Sequence, residues 1–193
     1  MAVLTPTPRP RLTLAGTLYI VATPIGNLAD ASARALEVLR GADLVACEDT
    51  RTSRTLLARH GISAQVMALH QHNERQQSKN FIDLMREGKS IALISDAGTP
   101  GVSDPGALLV EAAHRAGIRV VPIPGPSAAV AAWSAAGFAA TGFEFCGFVE
   151  KKQLKKLDPA RPAILYDEHV AAAMLLHGRK GSADSCGGSN GNR

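Results

Sequence analysis

The sequence predicts an α/β fold: a mostly parallel, five-stranded sheet with helices on both faces, carried by residues 17–140. Three observations predict it. Short apolar runs alternate with stretches of helical periodicity, the signature of βαβ units joined by right-handed crossovers. Loops rich in Gly, Pro and Asp follow the apolar runs, at the carboxyl ends of strands, where such sheets hold their ligands. Finally, 193 residues of 46% hydrophobic and 20% charged character suffice for a buried core and exclude a wholly disordered chain.

The elements follow in order. Residues 1–16 read as a disordered leader, with Pro6, Pro8 and Pro10 blocking regular structure. Thr17 to Ala22 is a short apolar strand stopped by Thr23-Pro24. Ala31 to Arg40 repeats Ala and Leu at helical spacing, with Asp30 as the expected N-cap and Gly41 as the stop. Leu44 to Cys47 is a second strand, Thr50 to His60 a second helix, Val66 to Leu69 a third strand and Asn73 to Glu87 a polar-faced helix. Ile91 to Ser95 is the clearest strand of all. A Gly/Pro-rich loop over 96–106, a helix from Ala107 to Ala116 and a strand from Ile118 to Val121 come next. Pro126 is well placed to open a further helix running to Ala136. Beyond residue 140 the pattern weakens: Glu144 to Phe148 and Ala163 to Tyr166 suggest strands, His169 to Leu176 a short helix, and 178–193 a Gly/Ser/Asn-rich tail.

Charge and cysteine content narrow the function. Residues 1–150 carry 13 basic and 13 acidic side chains, whereas 151–193 carry eight basic and four acidic ones. The net +4 therefore belongs to the end of the chain, and the high pI describes that end more than the folded body. Aromatic residues at 4% argue against a nucleic-acid surface built on base stacking. Cys47, Cys146 and Cys186 form no CxxC pair, which speaks against a disulfide framework or structural zinc and fits a reducing compartment. With no secretory signal and no apolar run of about 18 residues, a cytoplasmic protein without membrane association or a metal is expected.

Four loops hold the candidate chemistry. TPIGNLAD, residues 23–30, runs from a first strand towards a helix but has a single glycine, so the dinucleotide fingerprint fails and, taken alone, a tight turn is the better reading. DAGTPGVSDPG, residues 96–106, is longer than a βα connection requires, which marks it as functional. Its Asp96 can accept hydrogen bonds from a ligand, and Asp104 is the expected N-cap of the next helix. PIPGPS, residues 122–127, is a rigid turn that places Ser127 in the first turn of an Ala-rich helix. EDTRTSR, residues 48–54, clusters Glu48 and Asp49 with Arg51 and Arg54, and Asp49 is a natural cap for the helix that Thr50 opens. The two arginines lie three apart and suit phosphate contacts, although an internally paired helix start is equally consistent. His70, His72, Asn73 and Glu74 fit a metal cluster only loosely, and a solvent-facing loop is the expectation.

Taken together, LYIVATPIGNLAD, DLVACEDTRTSRTLL, IALISDAGTPGVSDPG and VVPIPGPSAAVAA resemble, in this order and spacing, the ribosomal RNA small-subunit methyltransferase I family over residues 17–148. The resemblance implies the tetrapyrrole-methylase fold, with S-adenosylmethionine as cofactor in a cleft between two α/β domains, and a homodimer acting on small-subunit ribosomal RNA. It implies methylation of a cytidine 2′-hydroxyl. Donor contacts would fall on Thr23, Pro24 and Ile25, on Asp96, Gly98, Thr99 and Val102, and on Ser127 and Ala128. The reaction is an in-line displacement that needs alignment, exclusion of water and an acceptor for the hydroxyl proton. Asp49 or Glu48 is the expected base or orienter, with Arg51 and Arg54 holding RNA phosphates.

Family members continue into a complete second α/β domain. Here FEFCGFVEKK and PAILYDEHV, within residues 141–177, resemble the start of that domain before the Gly/Ser tail, and YDEH departs from the pattern at that point. An incomplete second domain, with weakened donor binding and impaired activity, is the expectation. A methyltransferase acting on a tetrapyrrole or other small molecule, and a non-catalytic oligomerisation module, are the competing readings. EDTRTSR, which belongs to the ribosomal RNA branch of the resemblance, favours RNA.

Overall fold

A computed structural model of the protein describes residues 16–137, 143–149, 164–165 and 173–178. The expected leader, most of the segment 150–172 and the tail lie outside these residues. The chain divides into two compact units, Met1–Ser127 and Ala128–Arg193.

In the first unit five strands, β1 (Thr17–Val21), β2 (Leu44–Cys47), β3 (Val66–Ala68), β4 (Ile91–Ile94) and β5 (Arg119–Ile123), form one sheet in the order β3-β2-β4-β1-β5. Every pairing is parallel. The connecting helices are α1 (Ala33–Gly41), α2 (Thr50–Arg59), α3 (Glu74–Arg86) and α4 (Ala107–Arg115).

Strand alternation explains how one sheet feeds two cores. Tyr19, Val21, Val45, Cys47, Ala92 and Ile94 point to one face, where Val38 and Leu39 of α1 and Leu57 of α2 cover them. Leu18, Leu44, Ala46, Ile91 and Leu93 point to the other, against Phe81, Ile82 and Met85 of α3 and Leu109 and Ala113 of α4. Helices thus cover both faces. The chain leaves β1 for α1 on one side and β4 for α4 on the other, so adjacent strands β1 and β4 flank a topological switch point. In open α/β sheets that is where a ligand crevice forms.

Local chemistry moves several boundaries. Asp30 does not cap α1: it ends a 3₁₀ turn, Leu28–Asp30, which Asn27 caps. The extra turn delays the helix, and Ser32 accepts the Ala35 N–H instead, at 3.1 Å. Asp49 caps α2 as expected, accepting the Arg51 N–H at 2.7 Å. Asp104 does not cap α4, whose N-cap is Gly106 with no side-chain bond of its own.

The second unit contains α5 (Ala128–Ala135) and an antiparallel sheet in the order β6-β8-β7, formed by β6 (Phe143–Val149), β7 (Ile164–Leu165) and β8 (Ala173–Gly178). Helix α5 begins two residues after Pro126, whose carbonyl is engaged by the Thr99 hydroxyl. The helix expected over His169–Leu176 is replaced, from Ala173, by strand β8. Its Ala/Leu-rich sequence suits a helix, but pairing with β6 and β7 on both edges overrides that weak preference. Trp133 of α5 and Phe143 of β6 pack with ring centroids 5.2 Å apart.

Candidate active site at the carboxyl edge of the sheet

The loops leaving β1, β4 and β5 are tied into one structure. Thr23 and Gly98 exchange backbone hydrogen bonds, Thr23 N–H to Gly98 O at 2.8 Å and Gly98 N–H to Thr23 O at 3.1 Å. The Thr23 hydroxyl donates to the Ser95 carbonyl at 3.0 Å, and the Ser95 hydroxyl turns towards the Gly98 carbonyl at 3.2 Å. Thr99 Oγ1 then donates to the Pro126 carbonyl at 3.2 Å, joining the β4 loop to the β5 loop. Each of these bonds satisfies a polar group that burial would otherwise strand.

Two glycines allow this path for different reasons. Gly98 adopts φ +83°, a backbone conformation that residues with a side chain rarely take. At Gly125 an added side-chain carbon would sit 2.9 Å from Ala22 Cβ, an atom fixed to the backbone just after β1 that cannot rotate away.

The donor contacts expected from sequence therefore divide into two kinds. Thr23 and Pro24 are buried, and Thr23 has its hydroxyl committed inside the protein. Ile25, Thr99 and Ser127 are half-buried, while Asp96 and Val102 are exposed, Val102 to 44%. Ser127 ends the first unit, and Ala128 opens α5 in the second.

Carboxylates gather at the ends of β2 and β4. Asp96 Oδ1 accepts the Asp49 N–H at 3.1 Å, linking the two strand ends. Burial, reinforced by the negative charges of Asp96 and Asp104, pushes the Glu48 carboxyl above its ordinary range. Burial also raises Asp104, with Asp96 adding to it. Asp49 moves the other way, because hydrogen bonds from the Arg51 side chain and backbone hold it ionised. Its Oδ1 and Oδ2 receive Arg51 Nε at 3.3 Å and Nη2 at 3.0 Å. Arg51 and Arg54 are both exposed, so Arg51 is already paired within the helix start while Arg54 faces solvent.

Sequence reasoning missed three participants. Ser95 is buried and braces the Thr23–Gly98 pair, and its position directly after the best strand was the available signal. Ser103 adopts φ +72°, rare for a residue with a side chain, and nothing in its sequence context announces this. Glu74 is not part of a solvent-facing loop but is 7% exposed, and its Oε1 accepts the N–H groups of Gly106 and Leu108. No group of three or more His, Cys, Asp or Glu residues suited to a metal ion occurs among the described residues. Nor is any helix there long and apolar enough to cross a membrane.

The comparisons with known proteins agree with this fold. The model of the tetrapyrrole (corrin/porphyrin) methylases matches residues 17–179. The chain belongs to that family. It is 53% identical over 143 residues to the ribosomal RNA small subunit methyltransferase I of Escherichia coli O157:H7, an alignment covering 74% of this chain and 50% of that protein. Its likeness to the Mesorhizobium japonicum protein of the same name is 55% over 148 residues, 77% of this chain and 50% of the other. Among solved structures, uroporphyrin-III C-methyltransferase from Thermus thermophilus superposes with a TM-score of 0.51 at 27% identity, covering 67% of this chain and 57% of that one. The chain thus spans about half the length of the curated relatives it matches.

Proposed function

We propose that this chain carries the donor-binding half of an S-adenosylmethionine-dependent methyltransferase whose acceptor is the 2′-hydroxyl of a cytidine in small-subunit ribosomal RNA. The observation that carries this reading is the pinned junction of the β1, β4 and β5 loops at the switch point, in a chain about half identical over 143 residues to a ribosomal RNA small subunit methyltransferase I. The higher identity to those enzymes than to the tetrapyrrole methyltransferase of known structure favours RNA over a small-molecule acceptor.

The residues present fit the donor. S-adenosylmethionine bears a cationic sulfonium and an ammonium group. Burial raises the Glu48 and Asp104 carboxyls and the negative charge of Asp96 adds to it, and a cation beside them would offset both effects. Ile25 and Val102 offer apolar surface, and Asp96 keeps Oδ2 for a ligand hydroxyl or amine. The donor supplies an activated methyl group, and the chain's part is alignment and proton acceptance. Glu48 suits the acceptor of the ribose proton better than Asp49, because a raised carboxyl is the stronger base. Asp49 then orients the start of α2, with Arg51 and Arg54 towards RNA phosphates. A cytoplasmic homodimer completes the proposal, and sedimentation at several concentrations measures its assembly.

The test is NMR titration of the 193-residue protein with S-adenosylmethionine, followed by transfer of labelled methyl groups to small ribosomal subunits that lack the modification. Shifts confined to residues 23–27, 48–49, 96–106 and 122–127, with label on a cytidine 2′-oxygen, support the reading. An unperturbed spectrum at millimolar donor, or label on a porphyrin carbon, refutes it.

A further inference from the structure

Helix α4 begins without a capping side chain of its own: its N-cap is Gly106, and Asp104 makes no capping bond. The missing acceptor comes from another helix. Glu74 Oε1, at the start of α3, accepts the Gly106 N–H at 2.7 Å and the Leu108 N–H at 3.0 Å. Glu74 is itself placed by a tight turn, in which Asn73 Oδ1 accepts the His70 N–H at 2.8 Å and Asn73 Nδ2 donates to the Ala68 carbonyl at 3.2 Å. A carboxylate at a helix N-terminus satisfies orphan N–H groups and complements the helix dipole.

The position of this bond in the loop gives it a consequence. Residues 96–106 are held early by the Thr23–Gly98 pair and in the middle by Thr99. After Thr99 the backbone passes through Gly101 at φ +80°, Ser103 at φ +72° and Gly106 at φ +129°. A serine in that conformation persists only where the surrounding structure holds both ends of its segment. Gly106 also lies so close to β4 that a side-chain carbon there would meet Leu93 Cδ2 at 2.7 Å. Glu74 is the tether at the downstream end.

We propose that Glu74 is a positioning residue for the donor loop, fixing the exit of residues 96–106 so that Val102 and Asp104 keep their places at the switch point. The inference rests on the donor-binding reading above and deepens it, since it assigns part of the donor affinity to a side chain that does not touch the donor. Reach is the property that matters. Glutamine keeps an acceptor oxygen at the same distance, whereas aspartate keeps the charge but draws it back by one methylene.

The experiment compares the unmutated protein with Glu74→Gln, Glu74→Asp and Glu74→Ala by amide hydrogen exchange and by S-adenosylmethionine titration followed by NMR. Glu74→Gln is expected to keep the Gly106 and Leu108 amides protected and donor affinity within about threefold. Glu74→Asp is expected to lose that protection while the sheet amides stay protected, and to bind the donor about tenfold more weakly, the scale of a lost charge-assisted hydrogen bond. Glu74→Ala falls at least as far as Glu74→Asp. If Glu74→Ala fails to fold, the glutamine and aspartate variants still decide the matter. Retained protection and affinity in Glu74→Asp, or equal losses in the glutamine and aspartate variants, overturn the proposal. Absence of donor binding by the unmutated protein instead overturns the functional reading, and the exchange pattern still reports whether Glu74 holds the loop.

Discussion

Thr23 turns its hydroxyl inward to the Ser95 carbonyl, so its role is to hold the geometry of the loops. Thr23→Val keeps the shape, removes the donor and leaves that carbonyl unsatisfied. A loss of about 1–3 kcal/mol in urea unfolding is expected. The carboxylates make a different kind of residue-scale statement. Folding raises the Glu48 and Asp104 pKa values, so the folded state holds more protons than the unfolded one between the ordinary and the raised values. Stability from these two groups is greatest below the ordinary carboxylate range and falls as pH rises through the raised values. Asp49 is lowered, so its contribution is present above the ordinary aspartate value and lost as pH falls through the lowered one. Glu48→Gln is accordingly expected to raise the Tm at neutral pH, with the gain vanishing in acid, while slowing methyl transfer. A pH series of thermal melts checks the first part and the ribosomal-subunit assay the second.

At the scale of elements, helix α3 matters as an anchor and as the source of a cap. Phe81 is fully buried against the sheet, and Phe81→Ala is expected to cost about 3–5 kcal/mol in denaturant unfolding. The β5 loop depends on Gly125 in another way. The carbon added by Gly125→Ala would press on Ala22 Cβ at 2.9 Å, so the loop must lift from β1. That variant is expected to lose stability and donor affinity together, read by thermal melting and donor titration. The loop after β4 combines the two principles: glycines allow its path, and side chains from other elements hold it there.

At the scale of the molecule, the first unit owns both of its cores. The two clusters that sandwich the sheet draw their buried members from residues 18–123. A chain ending at Ser127 is therefore expected to fold alone, with one cooperative urea transition and protected amides throughout β1, β2 and β4. A non-cooperative transition would show that the second unit is needed.

Much of this was legible in the sequence. Apolar runs of four or five residues separated by helical periods determined five strands and their parallel pairing, because burial on both faces demands continuous apolar strands, and with them the edge at which sheets of this kind bind ligands. The loops themselves announced their importance through length and glycine content. Tertiary structure decided which polar group meets which. Asp104 has the sequence of a cap but yields that place to Glu74, 32 residues from the Gly106 N–H that it accepts, and a helical-looking segment became β8 once β6 and β7 could pair with it. The two carboxylates of EDTRTSR, adjacent in sequence, are set apart in acidity by their neighbours: Arg51 holds one ionised, while burial and Asp96 raise the other. Periodicity and local propensity are properties of a short window and survive in the linear chain. Hydrogen-bond partners and electrostatic fields depend on groups that only folding brings together, and these decide which polar residues of the loops are tied down inside the fold.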